Sequence, residues 1–580
     1  MLVALAPVVA CTALRAGDAP RGAPDAGACD ASGTDGGCDP CGRACGAGER
    51  CVRGVCAPAL AAPRPLAPLT LRTTRSRRPV LRWVLAGGDG ARVELCRDRG
   101  MTEACVRFDA QGAEGAPPEE LALTPGVWFW RLRARSGAVT SEAPSATWAL
   151  RVGTVESALG STLDLDGNGT PELAVGAPRV EGYAGRVYLY RGFGDPDPPP
   201  WMSRRGPNGG EFGNAVANAG DVNRDGYFDL AVGAPGAGRV YLYYGAPMGL
   251  LPEPERRSGP EDAQRYGEAV AGVGDLDGDG YDDVATSPRA TDDARGRVDV
   301  YPGGPEGLAV EPSRTLAGER NARFGAWVWG AGDVNGDGFE DLAVGAPAQT
   351  GNSGAVYLFH GGPGGVPEAP STTLTGVDLL GSFGVRFSRA GDVNADGYSD
   401  LAVAAPTAEG GRGRVYVYHG GPSGVGPRPA TTLTGPAPGV GLGSGLADGA
   451  DLDGDGYTDL VVGATGGERG IGDGAVFVYR GGPEGVAAGA WLRRLGPDGG
   501  DSGYGFTLAV ADLNRDGRAD LCVGAVGVFH NTGRVYVYLH GAEGIAEAPL
   551  PIIGPGGVQG VFGWSLAARP PRAGLRGAAL

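Results

Sequence analysis

Between residues 155 and 567 the chain repeats one multi-part pattern seven times, and this repetition restricts it to a quasi-symmetric β architecture. Each unit is marked by Phe-Gly or a close relative: Phe212-Gly213, Tyr266-Gly267, Phe324-Gly325, Phe383-Gly384, Leu442-Gly443, Tyr504-Gly505 and Phe562-Gly563. A short apolar strand follows, then an Asp-rich loop, then Leu-Ala-Val-Gly-Ala-Pro, as at 230–235 and 342–347. A Gly-Arg-Val-Tyr strand comes next, as at 413–418, and a Gly-Gly-Pro-x-Gly turn, as at 361–365, leads to an outer segment such as 372–375. The first Asp of each loop stands at 164, 221, 275, 333, 392, 451 and 512, so the units recur every 54 to 61 residues.

Each unit therefore holds four strand-length segments with period-2 alternation, punctuated by Gly and Pro. One four-stranded sheet cannot bury both of its faces. Seven sheets stacked radially can, and they leave only short edges exposed. The predicted fold is all-β: a seven-bladed β-propeller, with a linear solenoid as the competing arrangement. The ends of the pattern are uneven. Val155-Glu156 stands where the first unit needs its Phe-Gly, and the last Phe-Gly is followed by Pro570-Pro571 instead of a loop. The C-terminal segment is expected to close the ring beside the first blade; a truncated eighth blade is the alternative.

The loops share one layout. They carry Asp164, Asp166, Asn168, Thr170 and Glu172; Asp221, Asn223, Asp225, Tyr227 and Asp229; Asp275, Asp277, Asp279, Tyr281 and Asp283; and Asp333, Asn335, Asp337, Phe339 and Asp341 at positions 1, 3, 5, 7 and 9. The other three carry Asp392, Asn394, Asp396, Tyr398 and Asp400; Asp451, Asp453, Asp455, Tyr457 and Asp459; and Asp512, Asn514, Asp516, Arg518 and Asp520. Side-chain oxygen occupies positions 1, 3, 5 and 9 every time. Position 7 varies from Thr to Tyr to Arg, so only its backbone carbonyl suits a shared role, and Gly at position 6 permits the sharp turn. Hard oxygen donors in this number, with position 9 bidentate, match the flexible shell of Ca²⁺; Mg²⁺ demands stricter geometry, and transition metals prefer His or Cys. The ligand positions hold 23 carboxylates, and seven calcium ions would move the formal net charge from −17 to −3. A structural role follows, each ion pinning one loop.

On these motifs the region resembles the FG-GAP repeats of the integrin α-subunit propeller, over about residues 155–567. The resemblance implies a protein-binding or cell-adhesion surface made by loops at one end of the ring. A lectin-like propeller is the alternative reading. Tyr188, Tyr241, Tyr357, Tyr416 and Tyr536 alternate with Val inside strands and are expected to pack between blades. Trp201, Trp327, Trp329, Trp491 and Trp564 vary between units and are candidates for an exposed ligand site. A calcium-dependent polysaccharide-active enzyme is the third reading, but no nucleophile motif or phosphate loop is present, and the four histidines form no shared set. The chain is therefore read as a non-enzyme.

Upstream, residues 2–10 are apolar but too short to span a membrane, and Val8-Val9-Ala10-Cys11 resembles a bacterial lipobox with Cys11 lipidated. No basic residue precedes this run, and a cleaved signal peptide is the alternative. The predicted organisation is a signal segment (1–11), a linker (12–28), a Cys-rich module (29–57), a second linker (58–78), a fibronectin type III-like β-sandwich (79–153) and the propeller (154–580). Cys29, Cys38, Cys41, Cys45, Cys51 and Cys56 suit a disulfide module in an oxidising compartment; a zinc site at Cys38-x-x-Cys41 lacks a second ligand pair. Cys96 and Cys105 lie on adjacent expected strands, in disulfide reach, and Cys522 reads as a buried small hydrophobe. A net charge of −17 argues against nucleic acid as a partner. The expected setting is extracytoplasmic, secreted or on a bacterial outer membrane through a lipid anchor. The expected form is a monomer facing a surface protein or glycan.

Overall fold

The computed structural model describes residues 49–568 apart from 53–54, 59, 68–71, 75–76, 86, 138, 153–162, 169, 194–197, 262, 289, 292–294, 468–471, 542–543 and 555–559. The readings at Cys11, Cys29, Cys38, Cys41, Cys45, Val155 and Pro570-Pro571 lie outside the described residues. Residues 1–60 form one compact unit and residues 61–580 another. In the first, strands Glu49–Val52 and Val55–Pro58 pair antiparallel, with Cys51 opposite Cys56.

The second unit begins with two facing sheets. One is six-stranded, ordered Arg72–Thr74, Trp148–Val152, Gly126–Ser136, Gly90–Cys96 and Val106–Gln111, with Val139–Thr140 beside Gly126–Ser136. The other is three-stranded: Arg64–Ala67, Leu81–Val84 and Glu114–Gly115. Trp83, Trp130 and Trp148 fill the space between them, the last two edge-to-face at 5.9 Å. Cys96 and Cys105 are joined by a disulfide. The expected linker at 58–78 is corrected here, because Arg64–Ala67 and Arg72–Thr74 are strands of these sheets. Pro65 is tolerated because Arg64–Ala67 is an edge strand, where one missing ladder donor faces outward.

From Leu173 onward the described residues form seven four-stranded antiparallel sheets. Their innermost strands, Ala215–Gly220, Ala269–Gly274, Trp327–Gly332, Arg386–Gly391, Leu442–Leu446, Tyr504–Ala511 and Ser565–Ala567, touch in that order, and the last touches the first. The result is the ring of a β-propeller. The apolar core is divided among seven interfaces between neighbouring sheets, including one between the last sheet and the first. Ser565–Ala567 supplies the innermost strand of the first sheet, pairing Ala174 with Ala567, Val175 with Leu566 and Gly176 with Ser565. Residues from opposite ends of the repeat region thus complete one sheet.

The Phe-Gly aromatics explain how the sheets adhere. Phe212, Phe383 and Phe562 are buried between adjacent sheets. Each bridges the Gly just before the third strand of the preceding sheet, Gly185, Gly354 and Gly533 respectively. A Cβ on Gly354 would stand 2.1 Å from the carbonyl oxygen of Phe383, so only glycine admits this approach. On its other side Phe383 meets Tyr416 and Tyr418 edge-to-face at 5.5 and 6.5 Å. Tyr188, Tyr241, Tyr357 and Tyr536 are engaged in the same way. Phe383→Ala is expected to lower stability by about 3–5 kcal/mol in denaturant melts, as for other buried aromatic truncations; a cost below about 1 kcal/mol contradicts this stapling role.

Candidate functional site: the acidic loops

In six of the seven sheets the acidic loop joins the innermost strand to the second; in the first sheet, whose innermost strand is Ser565–Ala567, the loop leads into the second strand, Leu173–Ala177. The loops lie together at one end of the ring. Positions 1 and 9 face inward, while positions 3 and 5 are nearer the solvent. Asp229, Asp283, Asp341, Asp400, Asp459 and Asp520, all at position 9, are at most 2% exposed. Each spreads its carboxylate between two backbone donors. Oδ2 accepts the N–H of position 2 (Val222, Leu276, Val334, Val393, Leu452, Leu513) at 2.7–2.9 Å. Oδ1 accepts the N–H of Gly245, Gly303, Gly361, Gly420, Gly481 or His540, at the end of the sheet's third strand, at 2.7–3.0 Å. The position-9 acid is therefore a tie between strands, and only its second lone pairs remain for an ion. Glu172, its counterpart in the first loop, accepts from Leu165 through Oε2, while its buried Oε1 has no hydrogen-bond partner among the described residues.

The shallower positions build nested turns. Oδ2 of the position-1 Asp accepts from the position-6 Gly, as in Gly338 N–H to Asp333 at 2.9 Å. Asn335 Oδ1 accepts from Asp337, and Asp337 Oδ1 accepts from Phe339, at 3.1 and 3.0 Å. The position-6 glycines stand at φ near +90°, for example +96° at Gly338, which L side chains avoid. Position 7 acts through its ring as well as its backbone. Phe339 covers Gly278 and Tyr398 covers Gly336 in the preceding loops, where an added Cβ would lie 2.5–2.6 Å from the ring. Arg224 replaces glycine at position 4 and lies 5.0 Å from the Tyr281 ring.

Burial, with repulsion from neighbouring acids, pushes these carboxyls upward. Glu172, Asp392, Asp459 and Asp520 are raised to about 8, Asp333 to about 7 and Asp451 to about 6. Asp229, Asp283, Asp341 and Asp400 lie well above the usual carboxylate range. None of these carboxyls forms an ion pair among the described residues, and a divalent cation would supply the missing countercharge. In three loops the ligand atoms already converge: Asp164, Asp166 and Glu172; Asp275, Asp277 and Asp279; and Asp451, Asp453 and Asp459 each lie within 4.8 Å of one another. That span is twice a Ca²⁺–O distance of about 2.4 Å. The donor set is all oxygen, so these residues fit calcium, which would neutralise the buried acids and fix the loops.

The same three loops already carry arginines. Arg191 meets Asp166 at 2.5 Å, Arg480 meets Asp453 at 2.7 Å, and Arg151 meets Asp275 at 3.0 Å. Burial works against the charge of Arg151, but Asp275 and Asp282 hold it ionised. Arg151 belongs to strand Trp148–Val152 of the two facing sheets, and other residues of this region also reach the loops. Arg99 donates to the Gly397 carbonyl at 3.0 Å and lies over Tyr398; Arg64 donates to the Asp455 carbonyl and lies over Tyr457. Sequence reasoning missed these contacts, since nothing local marks an arginine hundreds of residues away as a loop partner. Trp201 and Trp491 stack under Arg191 and Arg480, at 3.9 and 4.5 Å. Trp327, Trp329 and Trp564 instead line a cavity on the ring axis.

The family model described as FG-GAP repeat matches residues 157–190, 212–243, 326–359 and 384–418, and the FG-GAP-like repeat model matches 451–523. Integrin alpha-IIb of Mus musculus is 40% identical over 186 residues, 30% of this chain and 17% of that protein. Integrin alpha-5 of Xenopus laevis is 31% identical over 236 residues, 38% of this chain and 21% of that protein. The chain thus spans only about a fifth of the length of these relatives. Among solved structures, the periplasmic gluconolactonase PpgL of Pseudomonas aeruginosa aligns over 66% of this chain and 97% of its own, at 17% identity and a TM-score of 0.40, too low to bear on function. With Phe-Gly staples, acidic loops and repeat-model matches in register, the chain carries FG-GAP repeats and is similar across them to integrin α subunits.

Proposed function

We propose that this chain is a seven-bladed, calcium-loaded β-propeller working outside the cytoplasm as a protein-binding module for cell-surface adhesion. The observation that carries the reading is the recurrence of one oxygen-donor loop in all seven units, inside repeats similar to those of integrin α subunits. The ions are structural. They hold the loops at positions 1, 3, 5, 7 and 9, and the module binds its partner through its surface, without catalysis. The Cys96–Cys105 disulfide supports an oxidising compartment. No helix among the described residues is long and apolar enough to cross a membrane. In this reading the protein is anchored through Cys11 or secreted, and the Cys-rich module and sandwich act as a stalk.

Beads coated with the full chain are expected to adhere to the surface of the producing cells in calcium and to detach in chelator. Adhesion in calcium no stronger than that of albumin-coated beads removes the adhesion reading.

A further inference from the structure

The ring encloses a cavity of about 340 Å³ on its axis, lined by the innermost strands of all seven sheets. Its two ends differ. Near the acidic loops it is lined by paired charges: Arg151 with Asp275 and Asp282, and Arg389 3.7 Å from both Glu340 and Asp448. Asp448 also accepts the Trp329 indole N–H at 2.8 Å. At the opposite end, next to the Phe-Gly dipeptides, the walls are aromatic: Trp327, Phe506 and Trp564, the last two 5.0 Å apart.

Arg386 projects into this aromatic end. Its guanidinium lies 4.1 Å over Trp327 and 5.3 Å from the Phe506 ring. The other charged groups lining the cavity have polar partners, and Glu268 at the rim is held by Arg265 at 2.9 Å. The Arg386 side chain makes no hydrogen bond and no ion pair among the described residues. Desolvation by the surrounding walls lowers its pKa to about 10, with no anion beside it to offset the effect. Ring contacts engage its charge but leave its five N–H donors facing the cavity, free to meet a ligand. The space before it exists because the equivalent position in three other strands holds Ala215, Ala269 or Gly445.

The volume falls within the range of small-ligand sites, which are mostly apolar with a few fixed polar groups. A guanidinium fork matches a carboxylate through two parallel hydrogen bonds, and flat aromatic walls suit a ring body. We propose that the axial cavity binds a carboxylate carried on a small ring, as in a sugar acid, with Arg386 pairing the carboxylate and Trp327, Phe506 and Trp564 packing on the ring. This site is separate from the acidic loops and does not rest on the protein-binding reading.

The test is a titration of the calcium-loaded full chain with D-glucuronate, D-glucose and sulfate, followed by calorimetry and by tryptophan fluorescence. Saturable glucuronate binding is expected, with glucose and sulfate each at least tenfold weaker. Arg386→Met is expected to weaken glucuronate binding at least tenfold while the ligand-free protein melts no lower than the parent, because the side chain has no polar partner to lose. Arg386→Lys, which keeps the charge but loses the fork, is expected to weaken binding as well and decides the matter if the Met variant does not fold. No glucuronate binding by the folded protein, equal binding of glucose or sulfate, or undiminished binding by the substituted protein overturns the proposal.

Discussion

Stripping calcium from the protein is expected to cost far more thermal stability at pH 8 than at pH 5. Without the ion, the buried loop carboxyls have folded-state pKa values raised above the unfolded value near 4, to about 8 at Glu172, Asp392, Asp459 and Asp520 and about 7 at Asp333. A raised carboxyl contributes stability that is full below the unfolded pKa and is lost as pH rises through the folded one. The ion-free protein should therefore be most secure in mild acid and weaken progressively between about pH 4 and 8. Calcium reverses the trend, since it binds the ionised form and is displaced by protons. Melting curves at pH 5, 6.5 and 8, with calcium and after passage over chelating resin, measure both effects. An ion-free melting temperature that is flat across this range, or equal to the calcium-loaded value at pH 8, contradicts the structural-ion reading.

The second large effect is expected from removing residues 555–580. The truncation deletes Phe562, which is buried against Tyr188 and Tyr190 at 5.7 and 6.1 Å. It also deletes Ser565–Ala567, the innermost strand of the first sheet. Loss of the Phe562 side chain alone is worth about 3–5 kcal/mol, against a typical domain stability of about 5–15 kcal/mol. The bared edge of Leu173–Ala177 adds a template for strand pairing between molecules. The truncated chain is expected to show no cooperative melt by circular dichroism and to elute as aggregate in gel filtration. A monomeric product melting within a few degrees of the parent shows that the ring does not depend on this closure.

The repeat and its loops were legible because their signals are local: Phe-Gly, alternating strands and oxygen donors two residues apart all fall within short windows. Legibility stopped where the determining contact is distant. The position-9 acids bind backbone donors 16 to 22 residues downstream, so the sequence shows the acid but not its duty as a strand tie. The Pro-rich stretch at 58–78 looks like a linker because Pro65 weakens a strand signal, and only an edge position excuses it. Trp564 is far along the chain from Trp327 and Trp329, yet all three line one cavity because ring closure carries the innermost strands to one axis. Trp201 and Trp491 match them in sequence terms but lie outside the innermost strands, under arginines. Arg386 had no sequence signal, since its significance lies in the partner it lacks.

Among the described residues, the two facing sheets at 64–152 and their loops touch only part of the loop array. Arg151 reaches Asp275, Phe129 lies against Gly338, Thr147 and Arg99 against Gly397, and Leu66 and Arg64 against Gly456. These contacts fall on the third, fourth, fifth and sixth loops. Ions held there would exchange with solvent only as fast as the two domains part, whereas the first, second and seventh loops would exchange at the pace of their own motions. Seven sites alike in composition would thus divide into a slow set and a fast set, giving the protein a retained store of calcium beside one that follows its surroundings.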